Sequence, residues 1–203
     1  MISHKHKFIY IHIPKCGGCS LKDYLEEHCT DELKNTQHDS LKDVLKDNPK
    51  KIQDYYKFTF VRNPWDRIVS LYYFWFNQTE SSIFYQWDFK QADFIKNNNL
   101  SFHDFVKIIN SNDTVFHDKP HLNPYIGFFM EDPSSFDFIG KIENYQKDFE
   151  IICDKISITK ERIPHVNVSK HKHYIEYYDN ETRQIVADKY AKDIEYFGYE
   201  FGS

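Results

Sequence analysis

Cysteine is scarce here: the 203 residues hold four, Cys16, Cys19, Cys29 and Cys153. So thin a set is unlike the dense frameworks that staple small secreted domains, and it argues against a disulfide scaffold. Long hydrophobic runs are missing too. The apolar stretch nearest the start covers only residues 8–13, against the roughly 18–20 that a membrane span needs, and it ends at Pro14-Lys15 rather than at a small-residue cleavage site. The expectation is a cytoplasmic domain with no signal peptide and no membrane span. An excess of positive charge is absent as well. Lys plus Arg number 26 and Asp plus Glu 31, a net charge of −5, so no general basic field advertises nucleic acid or an anionic membrane as partner. An anionic ligand must be caught locally. Repeats, linkers and composition breaks are also lacking, which predicts one domain over residues 1–203. What is present is a globular composition, 40% hydrophobic and 18% aromatic, enough for a sizeable core.

The order of elements reads as alternating strands and helices. Residues 8–13 are β-branched and aromatic, as expected of a parallel strand buried on both faces. A loop of residues 14–20 follows, then Leu21, Tyr24, Leu25 and His28 at helical spacing. Residues 40–47 read as a short helix capped by Ser40, and residues 56–61 as a second strand. Asn63 is placed to cap a long helix with Pro64 in its first turn and a core stripe of Ile68, Leu71, Tyr72, Trp75 and Phe76. Ser101 to Asp104 resembles a capping box, residues 114–124 a loop, residues 136–141 a strand and residues 144–153 a helix. A last helix is predicted from Asp179 to just before Gly198. Alternation of this kind implies an α/β fold with a mainly parallel sheet.

Glycine numbers only six, yet two stand side by side at Gly17-Gly18, in the turn between the first strand and its helix. Glycine lets backbone N–H groups converge on an anion, and the helix start adds partial positive charge. Lys15, Cys16, Gly17, Gly18, Cys19 and Ser20 thus supply the parts of a phosphate cradle: a mobile cation, consecutive backbone donors and a hydroxyl. A tight turn with an exposed lysine is the plain alternative. The lysine precedes the glycines, so the loop does not fit a Walker A motif. Cys16 and Cys19 also form a C-x-x-C at a helix start, the placement used by thioredoxin-like thiol-disulfide oxidoreductases. Neither Cys29 nor Cys153 completes a zinc set, and no metal site is expected.

A second handle for anions follows the strand at 56–61. Arg62 sits at its carboxyl end, where open α/β sheets bind ligands, and Ser70 lies about two turns into the next helix. A guanidinium fork and a hydroxyl suit a phosphate. Taken together, I-H-I-P-K-C-G-G-C-S-L near the N-terminus and F-T-F-V-R-N-P-W-D-R-I-V-S-L-Y-Y further on resemble the carbohydrate sulfotransferase family, whose donor is 3′-phosphoadenosine 5′-phosphosulfate (PAPS). Later segments extend the resemblance: residues 138–144, residues 164–169 and the closing stretch from Tyr177 to Tyr199.

The resemblance implies a P-loop-like three-layer fold with a central, mainly parallel sheet flanked by helices. It also implies that Lys15, Cys16, Gly17, Gly18, Cys19 and Ser20 grip the 5′-phosphosulfate while Arg62 and Ser70 grip the 3′-phosphate. Threonine is frequent in the family where Cys16 and Cys19 stand, and a thiol is the weaker donor. Sulfuryl transfer needs in-line placement and neutralisation of charge on the leaving phosphate, and Lys15 is the natural group for that. The acceptor, expected to be a saccharide hydroxyl, must lose a proton. His121, in a segment similar to the family's H-x-x-P, is the implied base, with His117 in reserve. Tyr125 stands where a glutamine is common, and His12 reads as a packed strand residue. The cluster Lys170-His171-Lys172-His173 is a candidate contact for the adenosine nucleotide or an anionic glycan, with Ser169 and Lys172 as weak nucleotide candidates, although such a charge run is by default a solvated face.

Overall fold

A computed structural model describes residues 1–29, 33–36, 38–47, 49–82, 84–111, 115–117, 119–163 and 171–203. The segment 164–169, with Ser169, and Lys170 lie outside the described residues. The chain forms two compact units, each built from two stretches of sequence: residues 1–62 with 124–168, and residues 63–123 with 169–203.

The first unit carries the sheet. Its strands β1 (Ile2–Ser3), β2 (Phe8–Ile11), β3 (Tyr56–Val61) and β4 (Phe138–Lys141) lie in that order. β1 runs antiparallel to β2, while β2–β3 and β3–β4 are parallel. Every residue of β2 is buried, which is what its unbroken Phe-Ile-Tyr-Ile run requires. The short edge strand β1 was not anticipated. Helices α1 (Gly18–His28), α2 (Leu41–Asp47), α3 (Pro49–Ile52) and α7 (Tyr145–Ile156) belong to the same unit. α7 packs on β3 and β4, with Tyr145 edge-on to Phe60 at 4.9 Å. The Phe149 ring of α7 meets Tyr24 of α1 at 4.8 Å. The fold is therefore α/β, a four-stranded and mostly parallel sheet flanked by helices, as the alternation of patterns predicted.

The second unit is helical: α4 (Pro64–Phe76), α5 (Tyr85–Asn97), α6 (Phe102–Ile108), α8 (Asn180–Lys189) and α9 (Ala191–Phe197). Asn63 caps α4 as expected, its side chain accepting from the Trp65 N–H at 3.1 Å, and Pro64 occupies the first turn. The capping box at Ser101 and Asp104 forms. Three features depart from expectation. α5 was not foreseen. Phe76, placed in the core stripe of α4, is 42% exposed because that helix ends there. The single last helix is two, broken at Tyr190, although its predicted ends hold: Asp179 closes a capping box and Gly198 is a left-handed cap. No helix among the described residues is long and apolar enough to cross a membrane.

Candidate functional site

The glycine loop leaves β2 and turns sharply into α1. Two residues take left-handed backbone, Lys15 with φ 66° and Gly17 with φ 74°. Glycine occupies that region freely, but for lysine it is uncommon and costs energy, so the surroundings must hold Lys15 there. Gly18 is required for space: a Cβ would lie 1.9 Å from the His12 ring. His12 thus packs as expected, filling the room beside the first residue of α1. Burial, with the His38 ring alongside, holds its imidazole well below the ordinary range and so neutral. The intrahelical ladder of α1 starts with Leu21 N–H donating to Gly17 O at 3.3 Å, so the Gly18 and Cys19 N–H groups precede any intrahelical acceptor. Tyr145 donates its hydroxyl to Gly17 O at 2.7 Å, and burial raises its phenol far enough to keep that proton in place.

Arg62 comes to the same loop. Its Nη1 donates to the Lys15 carbonyl at 3.3 Å, bringing together a lysine and an arginine separated by 47 positions. Tyr125 fastens the arginine's backbone: its hydroxyl donates to Arg62 O at 2.7 Å and accepts from Arg62 N–H at 3.2 Å. The Tyr125 side chain, at the position where a glutamine is common, is fully buried. Cys16 Sγ lies 3.6 Å from the same hydroxyl and 3.7 Å from Pro14 O. All four cysteines are free thiols. Cys16 is buried, without the exposure that a redox pair needs. Cys153 is structural: burial pushes its thiol up to about 12.

Ser70 and His121 belong to the helical unit. Ser70 is buried on α4. His121 sits in a short 3-10 turn, Pro120–Leu122, with its ring beside Phe74 at 6.2 Å and Trp75 at 5.6 Å. That turn is pinned by two side chains that the sequence motifs do not single out. Arg67, buried in α4, donates from Nη2 to His121 O at 3.1 Å and from Nη1 to Asn123 O at 2.9 Å. The Tyr190 hydroxyl donates to Leu122 O at 2.9 Å, so three successive carbonyls are held. A signal was available: Arg67, Leu71 and Trp75 recur every four residues, which puts the arginine on the buried stripe. His117 is exposed, and Lys172 is exposed with its ammonium 3.4 Å from Glu176.

A protein of Archaeoglobus fulgidus described as "Uncharacterized protein" is 30% identical over 126 residues, which is 62% of this chain and 88% of that relative. No solved structure matches the chain. A sequence profile described as "Sulfotransferase family" matches residues 1–200. Since this match takes in the glycine loop, Arg62 and nearly everything after them, the chain belongs to the sulfotransferase family and is a transferase of sulfuryl groups.

Proposed function

We propose that residues 1–203 act as one PAPS-dependent sulfotransferase domain that sulfates a saccharide hydroxyl in the cytoplasm. The observation that carries this reading is the approach of the Arg62 guanidinium to the Lys15 carbonyl, which brings that cation to the backbone of the loop that holds Lys15, the left-handed glycine bend and the helix start. That donor set fits a nucleotide carrying two separate anionic groups. N–H groups at the start of α1, with the Ser20 hydroxyl, suit the 5′-phosphosulfate end, and the planar Arg62 fork suits a phosphate.

In this reading Lys15 and residues 16–20 bind the sulfuryl-bearing phosphate, and Lys15 offsets the negative charge that grows on the bridging oxygen as the S–O bond breaks. The donor itself contributes a sulfuryl group on a good phosphate leaving group. Arg62 holds the 3′-phosphate, and Ser70 is assigned to it by the resemblance. His121 takes the acceptor's proton, and the bonds from Arg67 and Tyr190 to its turn support that role, because a base must be held in one geometry to act.

The reaction product 3′-phosphoadenosine 5′-phosphate (PAP) provides the test. At a hundredfold excess over Kd, PAP is expected to stabilise the protein by about 2.7 kcal/mol, or roughly 5–10 °C in a thermal melt. Lys15→Ala is expected to abolish transfer from labelled donor to any member of a glycan panel while melting within a few degrees of wild type. A melt that PAP leaves unmoved would sink the proposal.

A further inference from the structure

Tyr125 is buried 63 residues beyond Arg62 in sequence, and its hydroxyl lies on both backbone polar groups of that arginine. A phenol has one hydrogen and two lone pairs. The hydrogen goes to Arg62 O at 2.7 Å, and one lone pair takes the Arg62 N–H at 3.2 Å. Cys16 Sγ lies 3.6 Å from the same oxygen. The thiol is thereby lodged between that hydroxyl and Pro14 O, 3.7 Å away. The circuit then closes through the arginine side chain, whose Nη1 reaches Lys15 O, the residue before Cys16.

We infer that Tyr125 is a positioning residue for anion binding: its hydroxyl fixes the peptides on both sides of Arg62 and ties them to Cys16, so that the arginine and the glycine loop are held ready before ligand arrives. The inference rests on the PAPS reading of the site, since PAP is the probe. Preorganisation of this kind raises affinity by removing an ordering cost that the ligand would otherwise have to meet. Tyr145, which reaches Gly17 O from α7, steadies the glycine bend but makes no contact of this kind with Arg62.

Isothermal titration with PAP separates positioning from mere packing. Tyr125→Phe keeps the ring and removes the hydroxyl, and it is expected to raise the Kd for PAP roughly tenfold, the usual scale for a lost buried hydrogen bond. Tyr72→Phe removes a hydroxyl-to-carbonyl bond of similar length, to Leu100 O at 2.8 Å, and serves as the control for general loosening; its Kd is expected to stay within twofold. In the background of Arg62→Ala, the Tyr125→Phe change should weaken PAP by less than twofold, because the group it positions has gone. An unchanged Kd in Tyr125→Phe, an equal loss in the Tyr72 control, or full multiplication of the two losses overturns the inference. Should Tyr125→Phe fail to fold, hydrogen exchange on the wild-type protein decides: PAP is expected to slow exchange of the Arg62 amide, and an unaltered rate overturns the inference. Wild-type protein that binds no PAP at all overturns the PAPS reading and this inference with it, a result distinct from wild-type binding with an indifferent Tyr125 variant.

Discussion

Single side chains decide the shape of the loop. His12 fills the space in which a Cβ at residue 18 would lie, so the imidazole and the missing side chain are a matched pair. Its low proton affinity follows from burial first and from the neighbouring His38 second. The sign of the pH effect then follows. A histidine whose folded-state affinity is depressed takes up its proton more readily when unfolded, so the folded form is at full advantage above the ordinary imidazole value of about 6.5 and loses ground below it. Urea midpoints are expected to fall as the pH drops from about 7 to 5, and His12→Gln is expected to flatten that slope. An unchanged slope in the variant would assign the acid sensitivity to other groups. Arg67 matters at the same scale: a buried guanidinium costs much unless paired, and here it is aimed at the carbonyls of His121 and Asn123.

At the scale of elements, the start of α4 concentrates several jobs in Asn63. Its side-chain oxygen caps the helix at Trp65 N–H, while its Nδ2 donates to Glu200 O at 3.0 Å and to Tyr174 Oη at 3.3 Å. Asn63→Ala removes all three bonds and is expected to cost about 2 kcal/mol, the upper end for a lost cap. Asn63→Asp keeps the cap, loses the two donated bonds and is expected to fall between wild type and alanine in urea denaturation. An alanine variant as stable as wild type would show that water replaces these bonds without loss. Elements also explain why one helix became two. Tyr190 has extended φ and near-zero ψ, and its hydroxyl is committed to Leu122 O, so the chain breaks where that side chain is anchored.

For the whole molecule, the unusual feature is that neither unit is continuous in sequence. The helical unit returns for residues 169–203 after 45 residues, 124–168, spent in the sheet unit. α8 and α9 complete it: Val186 and Tyr190 are buried, and Trp65 Nε1 donates to Arg183 O at 3.0 Å. Phe201 lies edge-on to the same indole at 5.6 Å, and the Tyr178 hydroxyl donates to the Trp65 backbone carbonyl at 2.8 Å. A chain ending at residue 168 is expected to keep the sheet unit while residues 63–123 lose their cooperative melt and become sensitive to limited proteolysis. Protection of those residues equal to that in the full chain would contradict this account of the unit.

Sequence alone determined what depends on neighbours along the chain. The buried run of β2, the caps at Asn63, Ser101 and Asp179, the Gly198 stop and the glycine bend all follow from local sterics and hydrogen bonding, and each formed where the pattern put it. Two family motifs were legible for the same reason, being short stretches with fixed spacing. Tertiary structure decided whatever depends on residues far apart. No local rule could bring Tyr125 onto the backbone of Arg62, choose the carbonyls of the His121 turn as the partners of the buried Arg67, or set Phe76 at an exposed helix end. These outcomes are fixed by which buried polar groups find partners when distant segments pack together, and a polar side chain records only what it can bond, not what it will meet.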